Sequence, residues 1–382
     1  MTRPLFDQAY RELERAAQGA ALPETFERWR VIERLADPDR VIRFTVRWLD
    51  DAGTVRHTRA WRVQYCNALG PYKGGMRFAA GVNEDALLFL GFEQSLKNAL
   101  TGLTLGGGKG GADFRPSDHS EGEVLRFCHA FMDEYVRHGG AEIDVPSGDI
   151  GVGEREVGWL HGRFMKLTGR HAAALTGKPE ALGGIPGRVE ATGYGAVRFA
   201  ELMLEALEHP LAGSAVAISG AGDVALHAAE RALTKGACVR SLSDSRGVAR
   251  FAEAGISEQT LEAVAVRLNE GARLPQIADE LDGVEYEPGA KPWDMPCHVA
   301  LPCATEHELD GDDAERLLGN GVAVVVEGAN MPLTEAACRA FRDAGIPIGP
   351  GKAANAGGVT VSGFEMQQHT SLGQWSREAV ID

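Results

Sequence analysis

The chain has 382 residues, enough for two or three domains with large buried cores, and its 44% apolar and 24% charged residues are those of an ordinary globular protein. A net charge of −15 excludes a general nucleic-acid binder, which gains affinity by releasing counterions to a basic face. No apolar run approaches the length of a bilayer-spanning helix, and the start, Met1 to Asp7, turns polar too soon for a secretory signal, so a soluble cytoplasmic protein with no membrane partner is expected.

Six scattered cysteines form no C-x-x-C pair, so neither a disulfide framework nor a metal site is expected. Two counts depart from the ordinary. Glycine, at 48 residues, is nearly twice the usual share of roughly 7%. The 39 basic residues comprise only eight lysines.

The amphipathic pattern from about Leu5 to Ala17 predicts a helix. Alternation over Arg40 to Trp48 and again over Val55 to Tyr65, with a turn at Asp51 to Gly53, predicts a hairpin. Residues 70–77 read as a glycine-containing loop. Asn83 can cap a helix running to about Leu100, and Ser120 with Glu123 has capping-box spacing ahead of a helix near Val124 to Arg137. From about Thr192 the texture becomes a regular alternation of helices with short apolar runs at 215–218, 238–242, 298–301 and 322–326, the pattern of βαβ units and a parallel sheet. The tail from Ala353 reads as a glycine-rich loop and one helix start. A domain boundary falls near 185–192, where the pattern changes.

The apolar run Ser214 to Ser219 enters Gly220-Ala221-Gly222-Asp223-Val224-Ala225 at a helix start, a G-x-G-x-x-A turn in the context a dinucleotide requires. Gly220 suits the tight turn, Gly222 lets backbone amides approach a pyrophosphate, and Ala225 lets helix and strand pack closely. An ordinary strand-to-helix turn could carry the same glycines, but Asp244 at the end of the next apolar run sits where a ribose-binding carboxylate is expected. Asp244 favours a free ribose diol, whereas Ser243, Ser245 and Arg246 can donate to a 2′-phosphate; NADP and NAD both remain open.

Lys73, Lys97, Lys109, Lys178 and Lys352 lie in or beside glycine-rich segments of a sequence that otherwise prefers arginine. A group that must lose a proton, or act as a compact charge in a tight site, has to be lysine. Lys109, in Gly106 to Gly111, is the sharpest case, and neighbouring cations such as Lys73 and Lys97 would favour its neutral amine. The segment lacks the glycine and hydroxyl positions of a phosphate-binding Walker loop. Gln94 and Lys97, three apart on one helix, can grip one carboxylate, though a solvated helix lysine reads the same way. Asp149, in the glycine-rich loop 145–153, is a candidate proton shuttle, with an Asx-turn role as the alternative.

From Arg40 to Met366 the chain resembles the glutamate dehydrogenases of the hexameric, bacterial NADP-linked type, within the Glu/Leu/Phe/Val dehydrogenase superfamily. Residues 70–78, 91–100, 106–111, 145–153, 190–195, 327–332 and 353–359 leading to Ser362 carry the resemblance. It implies an α/β fold: an N-terminal α/β substrate-binding and oligomerisation domain, 1–188, to which 353–382 returns, plus a Rossmann-type doubly wound dinucleotide-binding domain, 189–352. It also implies oxidative deamination of L-glutamate, and the reverse, with NADP as cofactor and NAD possible. By resemblance Lys109 and Asp149 are catalytic. Gln94, Lys97 and the Gly148 backbone would hold the α-carboxylate, and Lys73 with Ser362 the side-chain carboxylate. Thr192, Asn330 and Asn355 would join residues 220–224, Asp244 and Ser245 on the cofactor side. The partners implied are glutamate, 2-oxoglutarate and ammonium, in a homohexamer.

Relatives acting on leucine carry an apolar residue at the position of Lys73, and a buried ammonium there favours a second carboxylate. The chain departs from the family pattern at Asp223, usually Asn, and Val189, usually Pro, and it is shorter at both ends. A catalytically silent NAD(P)-binding assembly subunit, or a dehydrogenase for an apolar amino acid, are the alternatives.

Overall fold

The computed structural model describes residues 3–381. The chain divides into two compact units, one ending at Pro186 and resuming at Val359, the other spanning Gly187–Gly358. The sequence reading returns the chain to the first unit at 353. Residues 353–358 instead group with the second, where the Asn355 amide donates to the carbonyls of Gly328 and Ala329.

The first unit is built on a five-stranded sheet: β1 (Arg40–Leu49), β2 (Val55–Cys66), β3 (Tyr72–Ala79), β4 (Gly107–Asp113) and β5 (Asp144–Gly148), in the order β1-β2-β4-β3-β5. The expected hairpin is β1 with β2, paired antiparallel from Arg40 opposite Gln64 to Leu49 opposite Val55. The segment read as a glycine loop, 70–77, and the glycine-rich stretch 106–111 are mostly strand. β3 runs parallel to both β4 and β5, and glycines stand in it because neighbours crowd in: a Cβ on Gly74 would lie 1.8 Å from the Gly108 carbonyl oxygen. Likewise β5 takes the first half of 145–153.

One sheet face, with Ala60, Met76, Phe78 and Ala112, buries against Phe127, Phe131, Val157 and Leu160 of the Glu121–Tyr135 and Glu154–Thr168 helices. The Glu84–Leu100 helix packs against β2 and β4. Local chemistry starts both long helices as the spacing predicts. Asn83 Oδ1 accepts from the Ala86 N–H at 3.1 Å, and Ser120 and Glu123 complete a reciprocal capping box.

The second unit has a seven-stranded sheet: β6 (Ala215–Ile218), β7 (Cys238–Asp244), β8 (Gly247–Phe251), β9 (Val284–Pro288), β10 (Val299–Leu301), β11 (Val324–Val326) and β12 (Ile348–Gly349). Its order is β12-β11-β10-β6-β7-β8-β9. The five strands from β12 to β7 are parallel, the doubly wound pattern, while β8 and β9 add an antiparallel extension absent from the sequence reading. Ala225, Ala228, Ala229 and Ala232 are fully buried along the Asp223–Thr234 helix, and these small side chains let it approach the sheet closely. The tail from 353 is not loop: Gly357–Ser371 is helical. Gly357 serves close approach there, since a Cβ would stand 1.9 Å from the Ala191 carbonyl oxygen. Among the described residues no helix is long and apolar enough to cross a membrane.

Candidate active site

Side chains alternate along a strand, so Lys73, Gly75 and Arg77 of β3 share one face. Lys109 projects from β4 and Asp149 follows β5, on either side of Gly75. The Lys109 Nζ lies 3.0 Å from Asp149 Oδ2, and the Arg77 Nε donates to the same oxygen at 2.8 Å. The Asp149 carboxylate therefore engages two cations. Burial alone would raise its pKa, but Lys109 and Arg77 outweigh that and hold it at about 2. Burial also dominates at Lys109, whose side chain is only 8% exposed. It lowers the ammonium pKa below the ordinary lysine value; Asp149 opposes this, and Arg77 and Arg62 reinforce it. The result is an amine that gives up its proton more readily than a surface lysine, beside a carboxylate that stays ionised.

A second layer fixes these strands. Arg62 on β2 is fully buried, pairs with Asp144 through two contacts of 2.9 and 2.5 Å, and donates to the Gly74 and Gly75 carbonyls at 3.2 and 3.3 Å. Gln64 adds a bond to Asp144 at 2.9 Å. Asn98, also buried, donates to the carbonyls of Lys73 and Gly106 at 3.1 and 2.5 Å. Sequence reasoning missed Arg62, Arg77, Asp144 and Asn98. The one local signal was polar residues at Arg62 and Gln64 inside an otherwise buried stretch of β2.

Lys73 is fully buried, two residues before Gly75. Gln94 comes from the Glu84–Leu100 helix and reaches β3 so closely that its Cγ would be 2.9 Å from a Cβ on Gly74; its amide donates to Asn98 Oδ1 at 2.7 Å. Lys97 is half-buried in the last turn of the same helix. Gly148 ends β5 opposite Met76. Ser362 Oγ lies 3.1 Å from Thr176 Oγ1, and Thr176 in turn bridges Ser147 of β5. Lys178 has a different place: its Nζ is 2.5 Å from Glu365 Oε1, with both side chains 1% exposed.

In the second unit, β6 and β10 are adjacent, and strand order reverses there: β7 follows on one side, and β10, β11 and β12 on the other. This is the switch point at which open α/β sheets bind ligands. Gly220 has φ +84°, a conformation that favours glycine, and its N–H donates to Ser243 Oγ at 3.0 Å. Gly222 caps the Asp223–Thr234 helix, and a Cβ on it would meet nothing within 4 Å, so the turn presents open space at the positive end of a helix dipole. These features fit a pyrophosphate. Asp223 and Ser245 are exposed, Ala221 and Val224 half-buried.

Asp244 Oδ1 accepts from the Arg246 and Gly247 N–H groups at 2.8 and 3.1 Å and from the Tyr286 hydroxyl at 2.9 Å, so this oxygen closes the β7 to β8 turn. Burial and the Asp244 carboxylate push the Tyr286 phenol up to about 12, which keeps it a donor. Asn355 donates to Asn330 Oδ1 at 3.3 Å, and Thr192 opens the Ala191–Ala206 helix.

A family model described as Glutamate/Leucine/Phenylalanine/Valine dehydrogenase matches residues 183–382, and one described as Glu/Leu/Phe/Val dehydrogenase, dimerisation domain, matches residues 38–166. The chain is 49% identical over 350 residues to the NADP-specific glutamate dehydrogenase of Escherichia coli, covering 92% of this chain and 78% of that protein. It is 48% identical over 356 residues to the NADP-specific enzyme of Giardia intestinalis, covering 92% and 79%. Among solved structures, Plasmodium falciparum glutamate dehydrogenase superposes with a TM-score of 0.94 at 44% identity, over 99% of this chain and 81% of that one. A hetero-hexameric glutamate dehydrogenase of Thermus thermophilus gives 0.85 at 27% identity, over 100% and 87%. The chain belongs to the glutamate/leucine/phenylalanine/valine dehydrogenase family.

Proposed function

We propose that the chain is an NADP-dependent glutamate dehydrogenase: it converts L-glutamate, water and NADP+ to 2-oxoglutarate, ammonium and NADPH, and runs the reverse reductive amination. The observation that carries this reading is the buried Lys109 and Asp149 pair, 3.0 Å apart, in a chain 49% identical to an NADP-specific glutamate dehydrogenase.

Lys73 and Ser362 hold the side-chain carboxylate of the substrate. Lys97, Gln94 and the Gly148 N–H hold its α-carboxylate. Two separate cationic grips suit a dicarboxylate, and a buried ammonium at Lys73 disfavours an apolar side chain. In deamination, Asp149, an ionised carboxylate at neutral pH, takes protons from the substrate nitrogen. Lys109 as a neutral amine takes a proton from the water that adds to the imino carbon, and as an ammonium it stabilises the developing oxyanion of the carbinolamine. Asp149 then returns protons to the nitrogen as ammonium leaves.

Gly220, Ala221, Gly222, Asp223 and Val224 cradle the pyrophosphate of the dinucleotide, and Thr192, Asn330 and Asn355 line its nicotinamide side. When bound, the dinucleotide supplies the hydride acceptor in deamination and the donor in amination. Exposed Ser245 and Arg246, beside an Asp244 oxygen already engaged in the turn, favour the 2′-phosphate of NADP over the free diol of NAD. The working form is a homohexamer in the cytoplasm.

The test is NADPH oxidation by the purified protein with 2-oxoglutarate and ammonium together. Consumption that requires both supports the reading. NADPH binding without turnover would favour a silent subunit, and faster oxidation of leucine or valine than of glutamate would reassign the substrate.

A further inference from the structure

Arg77 has no part in the roles above, yet it touches the reacting carboxylate. Its Nε donates to Asp149 Oδ2 at 2.8 Å, and Lys109 Nζ stands 3.0 Å from that same oxygen. With both cations converging on Oδ2, the proton traffic falls to Oδ1. We propose that Arg77 is a positioning residue: it anchors Asp149 by Oδ2 so that Oδ1 is the oxygen presented to the substrate nitrogen, and it sets the charge around Lys109. This rests on the assignment of Lys109 and Asp149 as the reacting pair.

The backbone of Arg77 is held in place. It pairs with Gly111 in the parallel register of β3 and β4, and its carbonyl oxygen would be 2.3 Å from a Cβ on Gly111, so the strands cannot separate or slide without losing that fit. An arginine also keeps its charge at every working pH, which a lysine beside an ammonium would not guarantee. Burial is the main influence lowering the Lys109 amine, and Arg77 and Arg62 push in the same direction against Asp149. The other charged groups on the elements packed around Lys109 include Asp144 on β5, paired with Arg62, Lys73 on β3, and Glu93 and Lys97 on the Glu84–Leu100 helix, with Arg56 and Arg59 further along β2, Asp113 at the end of β4, and Glu84 and Asp85 in the helix's first turn. Arg77 contacts the same carboxylate oxygen as Lys109.

The experiment compares Arg77→Gln and Arg77→Lys with the parent protein, each shown folded by circular dichroism and by oligomer size, with Arg77→Met used where the glutamine variant does not fold. For Arg77→Gln, kcat falls roughly 10- to 100-fold while KM for glutamate stays within about threefold, because the lost interaction orients the reacting group without holding substrate. Arg77→Lys recovers most of the loss. The rising limb of the pH profile moves to higher pH in Arg77→Gln, and in an Asp149→Asn background the same substitution costs little more.

A readout independent of turnover is competitive acetylation of Lys109 against pH, followed by peptide mass spectrometry. Its midpoint rises in Arg77→Gln and is restored in Arg77→Lys. An unmoved midpoint, an unchanged kcat, a loss confined to KM, or losses that multiply with Asp149→Asn would each overturn the inference. A parent protein that labels as expected but does not turn over glutamate refutes the proposed function while leaving the assignment of Arg77 to be decided by the midpoint.

Discussion

Gly75 and Lys109 stand side by side on adjacent strands with no room for a methyl group between them. A Cβ on Gly75 would come within 3.0 Å of the Lys109 Nζ and 2.8 Å of the Asp149 Cβ. Gly75→Ala therefore displaces the pair it faces. Misplacing reacting groups by a fraction of an ångström to 1 Å costs up to about 100-fold, so kcat should fall roughly 10-fold or more while thermal unfolding stays cooperative. Steady-state kinetics with a calorimetric scan reads both, and unchanged kcat would mean that the pair is not confined as described.

In the proposed function, substrate choice rests on Lys73. Lys73→Leu removes the buried ammonium and leaves an apolar site, which favours a side chain without a carboxylate. The ratio of kcat/KM for glutamate over norvaline should fall by about 100-fold or more, on the scale by which a site built around a buried polar group rejects the wrong partner. A preserved ratio would place the side-chain carboxylate elsewhere.

In the proposed function, cofactor preference is set at the β7 to β8 turn. Ser245→Ala with Arg246→Ala removes two exposed donors while the backbone N–H at 246, which holds Asp244, is retained. KM for NADPH should rise, with each charge-assisted bond contributing about 1.5–3 kcal/mol, and KM for NADH should change little. Equal effects on both cofactors would count against a 2′-phosphate site there.

The buried Lys178 and Glu365 pair predicts a stability effect separate from chemistry. Glu365 also accepts from the Gly177 N–H at 2.8 Å, so Glu365→Gln leaves a buried ammonium without its counter-charge. Denaturant unfolding should show a loss of about 3–5 kcal/mol. A loss well under 1 kcal/mol would mean that solvent reaches Lys178.

Much of this architecture is written locally. The strand, Gly220 turn and helix whose geometry fits a pyrophosphate follow one another within about a dozen residues, and Asn83 and Ser120 announce their helices by short-range chemistry. Where the reading failed, the cause was tertiary. Gly74, Gly75 and Gly107 to Gly111 look like loop because glycine is flexible, yet they stand in strands where the neighbouring backbone, Ser95 and Lys109 leave no space for a side chain. Gly357 misled in the same way at the start of a helix. Lys109 and Asp149 could be picked out because lysine is rare here and a carboxylate in an apolar glycine loop is unusual. Arg77 and Arg62 could not, because an arginine among many arginines carries no signal until the fold brings it onto Asp149 or Asp144.

Lys109, lowered by burial and neighbouring cations, is the residue to which the proposed function assigns the proton chemistry of glutamate deamination. The most direct test is kcat for NADP+-linked glutamate oxidation by Lys109→Ala beside the parent protein, with NADPH binding measured on both. A loss of about 100- to 10,000-fold in kcat is expected, the range for removing a general acid–base group, with NADPH affinity unchanged. Undiminished turnover by the folded variant would contradict that assignment.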